Sequence, residues 1–202
     1  MIHDTISYII FILASYLFGN VLYCQLIPQI FKGIDIISLS DDNNPGAANV
    51  FQHAGVKMGI ICLLLELLKG FLPIFIASML FESNNIWFSI IIIAPTLGHA
   101  FPVFNRFVGG KSIAVIFGEL LGLTVLSPVV VVLAIIYIML STVIKIGSRR
   151  TRSVVVFALF AIISLLIEIY FGRVYVGIGC VAISLIAIAK HTFLQNSKIR
   201  SM

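Results

Sequence analysis

Apolar runs of about 20 residues, long enough as helix to cross roughly 30 Å of hydrocarbon, recur along this chain from end to end. In lipid such runs must satisfy their backbone polar groups internally, which predicts helices and leaves no room for a separate soluble domain. With 60% hydrophobic residues, 10% charged residues and a mean hydropathy of +1.15, the 202-residue chain falls outside the averages for soluble globular proteins. The expected fold is an all-α polytopic membrane protein, one integral-membrane domain over residues 1–202, with about seven spans: Ile6 to Phe31, Lys57 to Phe81, Ile86 to Phe104, Ser112 to Val125, Ser127 to Lys145, Ser153 to Phe171 and Val174 to Lys190. The fourth and fifth are short and divided near Ser127 and Pro128, so one of them reads equally as a re-entrant half.

In this arrangement Lys32, Lys57, Arg106, Lys111, Lys145, Arg149, Arg150, Arg152, Lys190, Lys198 and Arg200 all fall on one side and Arg173 on the other. The positive-inside rule then predicts an external N-terminus, with the loops at 32–56, 105–111 and 146–152 and the C-terminus in the cytoplasm. The net charge of +5 is mostly this topology signal. The basic residues are split among short loops without aromatic interleaving, which argues against a nucleic-acid partner. The first run lacks a basic leader and exceeds a signal-peptide core, so it reads as a retained span. Cys24, Cys62 and Cys180 are scattered through apolar segments, as packing cysteines are, and suggest neither a disulfide framework nor a metal cluster; no cofactor is expected.

Polar groups concentrate in three places. Gly109-Gly110-Lys111 opens a helix: glycines able to take φ > 0, unpaired N–H groups at the helix start and a lysine make an anion site at the membrane surface. A nucleotide P-loop is excluded, because the first glycine of that motif falls at Asn105 and no strand precedes the loop. Asp41 to Asn49 reads as a turn followed by a helix start, with Asn44 as cap and Pro45 at the first helical position. Capping alone does not account for Asn49, Gln52, His53 and Lys57, which follow in a helix about to enter lipid. Glu66 and Lys69 stand one helical turn apart inside the second span, where they can pair on one face; Lys69 reads either as packing or as an anion ligand. Gly70 and Pro73 predict a kink in that helix. His99 is a core histidine or, given the basic turn after it, a site residue, whereas Glu119 and Glu168 read as packing or pairing groups.

Three segments resemble the bacterial acyl-phosphate:glycerol-3-phosphate acyltransferases of the PlsY type. Asn44-Pro-Gly-Ala-Ala-Asn49 is similar to the family's first motif, Gly-Ser-Gly-Asn-x-Gly-Ala-Thr-Asn. Glu66-Leu-Leu-Lys69-Gly70-Phe-Leu-Pro73 is similar to its Asp-x-x-Lys-Gly-x-x-Pro segment, and Leu97-Gly-His99-Ala-Phe-Pro102, followed by Phe107-Val-Gly109-Gly110-Lys111, to its second motif. Order, spacing, length and topology agree over nearly the whole chain. Asp42 stands where the family has serine, Ala48 where it has threonine, Val108 where it has lysine and Leu194 where it has asparagine, while His191 matches a family histidine.

The resemblance implies transfer of a fatty acyl group from acyl phosphate to the 1-hydroxyl of glycerol 3-phosphate at a bacterial cell membrane. The products would be lysophosphatidic acid and phosphate. It makes the membrane lipids, and a companion enzyme that produces acyl phosphate, the expected partners. The implied roles are one phosphate on Gly109, Gly110 and Lys111, the other helped by Lys69, Arg149 or Arg150, with His191 as a further substrate-binding residue. Asn44, Gly46 and Asn49 would orient substrate and donate to the oxyanion; His99 or a substrate phosphate oxygen would take the hydroxyl proton. The altered first motif leaves a rival, a catalytically inactive relative that binds or regulates lipid-synthesis components. The intramembrane charges leave another, a small transporter.

Overall fold

A computed structural model describes residues 4–199, with side chains to Thr192. Lys198 and Arg200, counted in the topology prediction, lie outside the described side chains. The described residues form helices α1 (Thr5–Gly19), α2 (Tyr23–Lys32), α3 (Ile36–Leu39), α4 (Ala47–His53), α5 (Val56–Leu80), α6 (Ile86–Ala100), α7 (Ile113–Gly122), α8 (Val129–Ile138), α9 (Arg149–Tyr170) and α10 (Val174–Ile199). The seven apolar segments are all helical. Val56–Leu80, Ile86–Asn105, Arg149–Tyr170 and Val174–Thr192 are long and apolar enough to cross a membrane, and α1 with α2, bent by 41°, makes a fifth if taken as one span. The fourth and fifth segments, Ile113–Val125 and Val129–Val143, are shorter.

Local chemistry sets the ends. The Asp4 carboxylate accepts from the Ser7 N–H at 3.1 Å and caps α1; Asn85 caps α6 by accepting from the Trp87 N–H at 3.0 Å. Gly33 in the left-handed region (φ 65°) closes α2. The α1/α2 bend is held by Asn20, whose amide donates to Tyr16 O at 2.6 Å and whose oxygen accepts from the Val103 N–H at 2.5 Å. Pro73 lies inside α5, which continues through it as one helix.

Lipid offers helices little hydrophobic reason to associate, so close backbone packing and internal polar contacts hold the bundle. A Cβ on Gly118 would lie 2.0 Å from Leu67 O, and one on Gly70 2.1 Å from Val115 O, so α5 and α7 meet backbone to backbone. The core behind them joins Phe88, Ile91 and Ile92 of α6 to Ile116, Phe157 and Val176 of α7, α9 and α10. The outward side chains are apolar as well: Ile6 is 66% exposed and Leu166 62%, as residues facing acyl chains should be. Glu119 accepts from the Thr96 N–H (2.7 Å) and hydroxyl (2.8 Å), and Glu168 pairs with Arg173 at 2.6 Å, so both serve packing.

Candidate active site

Beside the α5/α7 pair lies a cavity of about 610 Å³ whose lining changes character along its length. One end carries Asn44, Gly46, Glu66, His99, Lys111 and Ser112; the rest is walled by Leu63, Leu67, Phe117, Leu121, Val130 and Ala134 from α5, α7 and α8. A molecule with a polar head and an aliphatic tail matches this division.

At the polar end the 40–49 loop folds onto the start of α7. Asn44 does not cap α4; Gly46 occupies that position, and the Asn44 side-chain oxygen instead accepts from the Lys111 N–H at 3.2 Å. The Lys111 ammonium meets the Asp42 carboxylate at 2.7 Å, and Asn49 braces the loop by donating to Asp42 at 3.0 Å and to Asn44 O at 2.8 Å. Half-burial pushes the Asp42 carboxyl up, but Lys111, Asn49 and the Asn44 backbone outweigh it and hold the group below its ordinary range. Ile113 and Ala114, the first residues of α7, line the cavity with N–H groups that no preceding helical carbonyl can accept. They stand beside Lys111, at the turn where Gly-Gly-Lys leads one to expect an anion site.

The glycines act differently from expectation. Neither Gly109 nor Gly110 has positive φ; Arg106, Phe107 and Ser112 take those conformations. What the glycines supply is room. A Cβ on Gly109 would lie 2.0 Å from His99 O, one on Gly110 2.3 Å from His99 Nε2, and the Gly110 N–H donates to His99 O at 3.1 Å. The turn therefore rests directly on the imidazole, which is 4% exposed.

Behind His99 stand Lys69, fully buried, and Glu66. The Lys69 ammonium lies 2.6 Å from Glu66 Oε2, 2.6 Å from Val21 O and 2.9 Å from His99 Nδ1. Lys69 is thus one layer behind the cavity, while Glu66 and His99 line it. Arg149 is exposed at the start of α9 and Arg150 half-buried beside it; neither lines the cavity. His191 is buried, its Nδ1 2.8 Å from Ala187 O, within electrostatic range of Lys111, Asp42 and Arg150. Residues 42–49, 99–112, 150 and 191 thus gather at one end of the bundle. Two features escaped the sequence: Asp42 as the partner of Lys111, and the α8 wall with Tyr137, whose run of similar apolar residues carries no signal of which face meets a ligand. Among the described residues no three metal-ligating side chains cluster.

The family described as "Glycerol-3-phosphate acyltransferase" matches residues 9–198. Glycerol-3-phosphate acyltransferase of Thermotoga petrophila is 37% identical over 140 residues, covering 69% of this chain and 70% of that protein. Glycerol-3-phosphate acyltransferase 2 of Thermotoga maritima is 41% identical over 105 residues, about half of each chain (52% and 53%). Among solved structures, the crystal structure of PlsY, an integral membrane glycerol 3-phosphate acyltransferase in its glycerol 3-phosphate form, superposes with a TM-score of 0.79 at 25% identity, over 96% of this chain and 93% of that one. Its lysophosphatidic acid form gives 0.76 over the same shares.

Proposed function

The chain belongs to the glycerol-3-phosphate acyltransferase family, and from that premise we propose that its cavity transfers a fatty acyl group from acyl phosphate to glycerol 3-phosphate. The carrying observation is the divided lining: a polar mouth of Asn44, Lys111 and the start of α7 continues into an apolar wall. Acyl phosphate has that shape, a dianionic head on an aliphatic chain.

The head sits on the Gly109-Gly110-Lys111 turn, and the chain runs along Leu67, Phe117 and Leu121. The glycerol 3-phosphate enters from the side of Arg149 and Arg150, whose positive potential attracts its phosphate, with His191 on the same side. The acceptor hydroxyl attacks the acyl carbon, the carbon–oxygen bond to phosphate breaks, and N–H groups beside Asn44 and Gly46 meet the developing oxyanion. Phosphate is a good leaving group, so the residues' main work is placement of two anions and exclusion of water.

The membrane enzyme is read with its N-terminus outside and the site facing the cytoplasm of a bacterial inner membrane. It would there receive acyl phosphate from an enzyme that makes it and release lysophosphatidic acid into the bilayer. The relatives give no support to a catalytically inactive reading. The test is a 31P assay of purified protein in vesicles with acyl phosphate and glycerol 3-phosphate. Lysophosphatidic acid and phosphate in equal amounts are expected; hydrolysis to phosphate alone, or no turnover, would contradict the reading.

A further inference from the structure

The contacts of His99 decide which of its nitrogens carries the proton. A lysine ammonium has three hydrogens and no lone pair, so it can only donate. Lys69 Nζ sits 2.9 Å from His99 Nδ1, and that distance requires the Nδ1 lone pair to point at Lys69. A hydrogen on Nδ1 would instead be driven into the ammonium, and an imidazolium would set two cations against each other. Among the described residues Glu66 Oε2 is the acceptor that could favour Nδ1–H, and it is farther away at 3.3 Å and meets Lys69 as an ion pair at 2.6 Å. Lys69 itself is held by the Val21 carbonyl at 2.6 Å and is fully buried, so it has no water to turn to. In a site without solvent exchange, a ring nitrogen's hydrogen-bond partner sets the tautomer.

We propose that His99 meets the phosphorylated substrate as a hydrogen-bond donor through Nε2–H, and that Lys69, held by Glu66 and Val21, is the positioning residue that fixes this tautomer. This rests on the acyltransferase reading of the cavity. Nε2 lies on the side of the Gly109-Gly110-Lys111 turn, packed close to Gly110, and His99 lines the cavity together with Lys111. A substrate oxygen there gains a third kind of donor beside the Lys111 ammonium and the α7 N–H groups. The neutral imidazole with a protonated Nε2 has no lone pair on its substrate side, so His99 does not take the hydroxyl proton. The reaction balances without it: acyl phosphate dianion plus alcohol gives ester plus hydrogen phosphate, the hydroxyl proton leaving on the released phosphate as the carbon–oxygen bond to phosphate breaks.

Full-length protein labelled with 15N-histidine in nanodiscs tests this by proton–nitrogen correlation spectra, with His99→Gln identifying the His99 signals. The wild type should show the Nε2–H pattern. Lys69→Met should move it toward Nδ1–H, because Glu66 then becomes the nearest partner of Nδ1. In turnover, His99→Gln keeps an N–H at the position of Nε2 and should stay within about tenfold of wild type, whereas His99→Ala should lose on the order of 10²-fold, the size seen when one oxyanion donor is removed. An Nδ1–H tautomer in the wild type, or equal losses in the Gln and Ala variants, would overturn the proposal. Wild-type protein that shows Nε2–H but transfers no acyl group would sink the acyltransferase reading instead. The donor role would then be decided by inorganic phosphate, which shifts the Nε2–H signal if the role holds and leaves it unmoved if it does not.

Discussion

Two lysine–carboxylate pairs stand close together in this molecule and do opposite things. Lys111 and Asp42 meet at 2.7 Å with side chains 19% and 41% exposed; Lys69 and Glu66 meet at 2.6 Å with side chains 0% and 2% exposed. Water and an incoming anion can compete for the first pair, so its lysine can exchange a carboxylate for a phosphate. The second is almost wholly shut off from solvent. A buried pair costs several kcal/mol per ion to desolvate, is destabilising to break and is of little use for binding, but it is well suited to holding one ring in one orientation. In the proposed function the same two functional groups thus serve as a substrate anchor in one place and a rigid support in the other.

The largest effect should come from the support. Lys69→Met leaves Glu66 as an uncompensated buried charge and should lower stability by about 3–5 kcal/mol, read as a drop in Tm of the detergent-solubilised protein. A Tm within a few degrees of wild type would place Lys69 in reach of solvent and erase the distinction between the pairs. Gly110→Ala comes next, because its Cβ at 2.3 Å from Nε2 must push His99 or the turn aside. A displacement of that size should cost on the order of 10²-fold in kcat with little change in Tm.

The buried pair could be anticipated because Glu66 and Lys69 lie one turn apart on a single helix, so their meeting follows from helical geometry alone. Asp42 and Lys111 meet across two separate elements, and no local periodicity joins them. Asn44 shows the same limit. Its place before Pro45 reads as a helix cap, yet the loop's tertiary contact with Lys111 gives its oxygen a different donor. At Gly109 and Gly110 the sequence suggests conformational freedom, whereas the requirement is close packing on His99, which only the packed structure reveals. The long helices followed from hydropathy; the short α7 and α8 segments did not declare whether they cross, because length alone separates the two cases.

Smaller effects test the anchor. Asp42→Ser removes a carboxylate that competes with substrate for Lys111. KM for the phosphorylated substrate should fall about fivefold, the effect of roughly 1 kcal/mol between solvent-exposed charges, while stability stays nearly unchanged. A raised KM would make Asp42 a ligand-positioning group instead. Acid gives the smallest change. Because the Asp42 carboxyl titrates below its ordinary value of 3.8, its contribution is fully present above that value and is lost as pH falls through the lower, folded-state value. Faster hydrogen exchange of the Lys111 amide should accompany that loss and be absent in Asp42→Ser.

The most direct test of the central claim is acyl transfer from acyl phosphate to glycerol 3-phosphate by the purified protein in lipid, wild type against Lys111→Ala. The account predicts lysophosphatidic acid from the wild type and loss of nearly all turnover in Lys111→Ala with its Tm retained. Unchanged turnover in that variant, or none from folded wild-type protein, would contradict it.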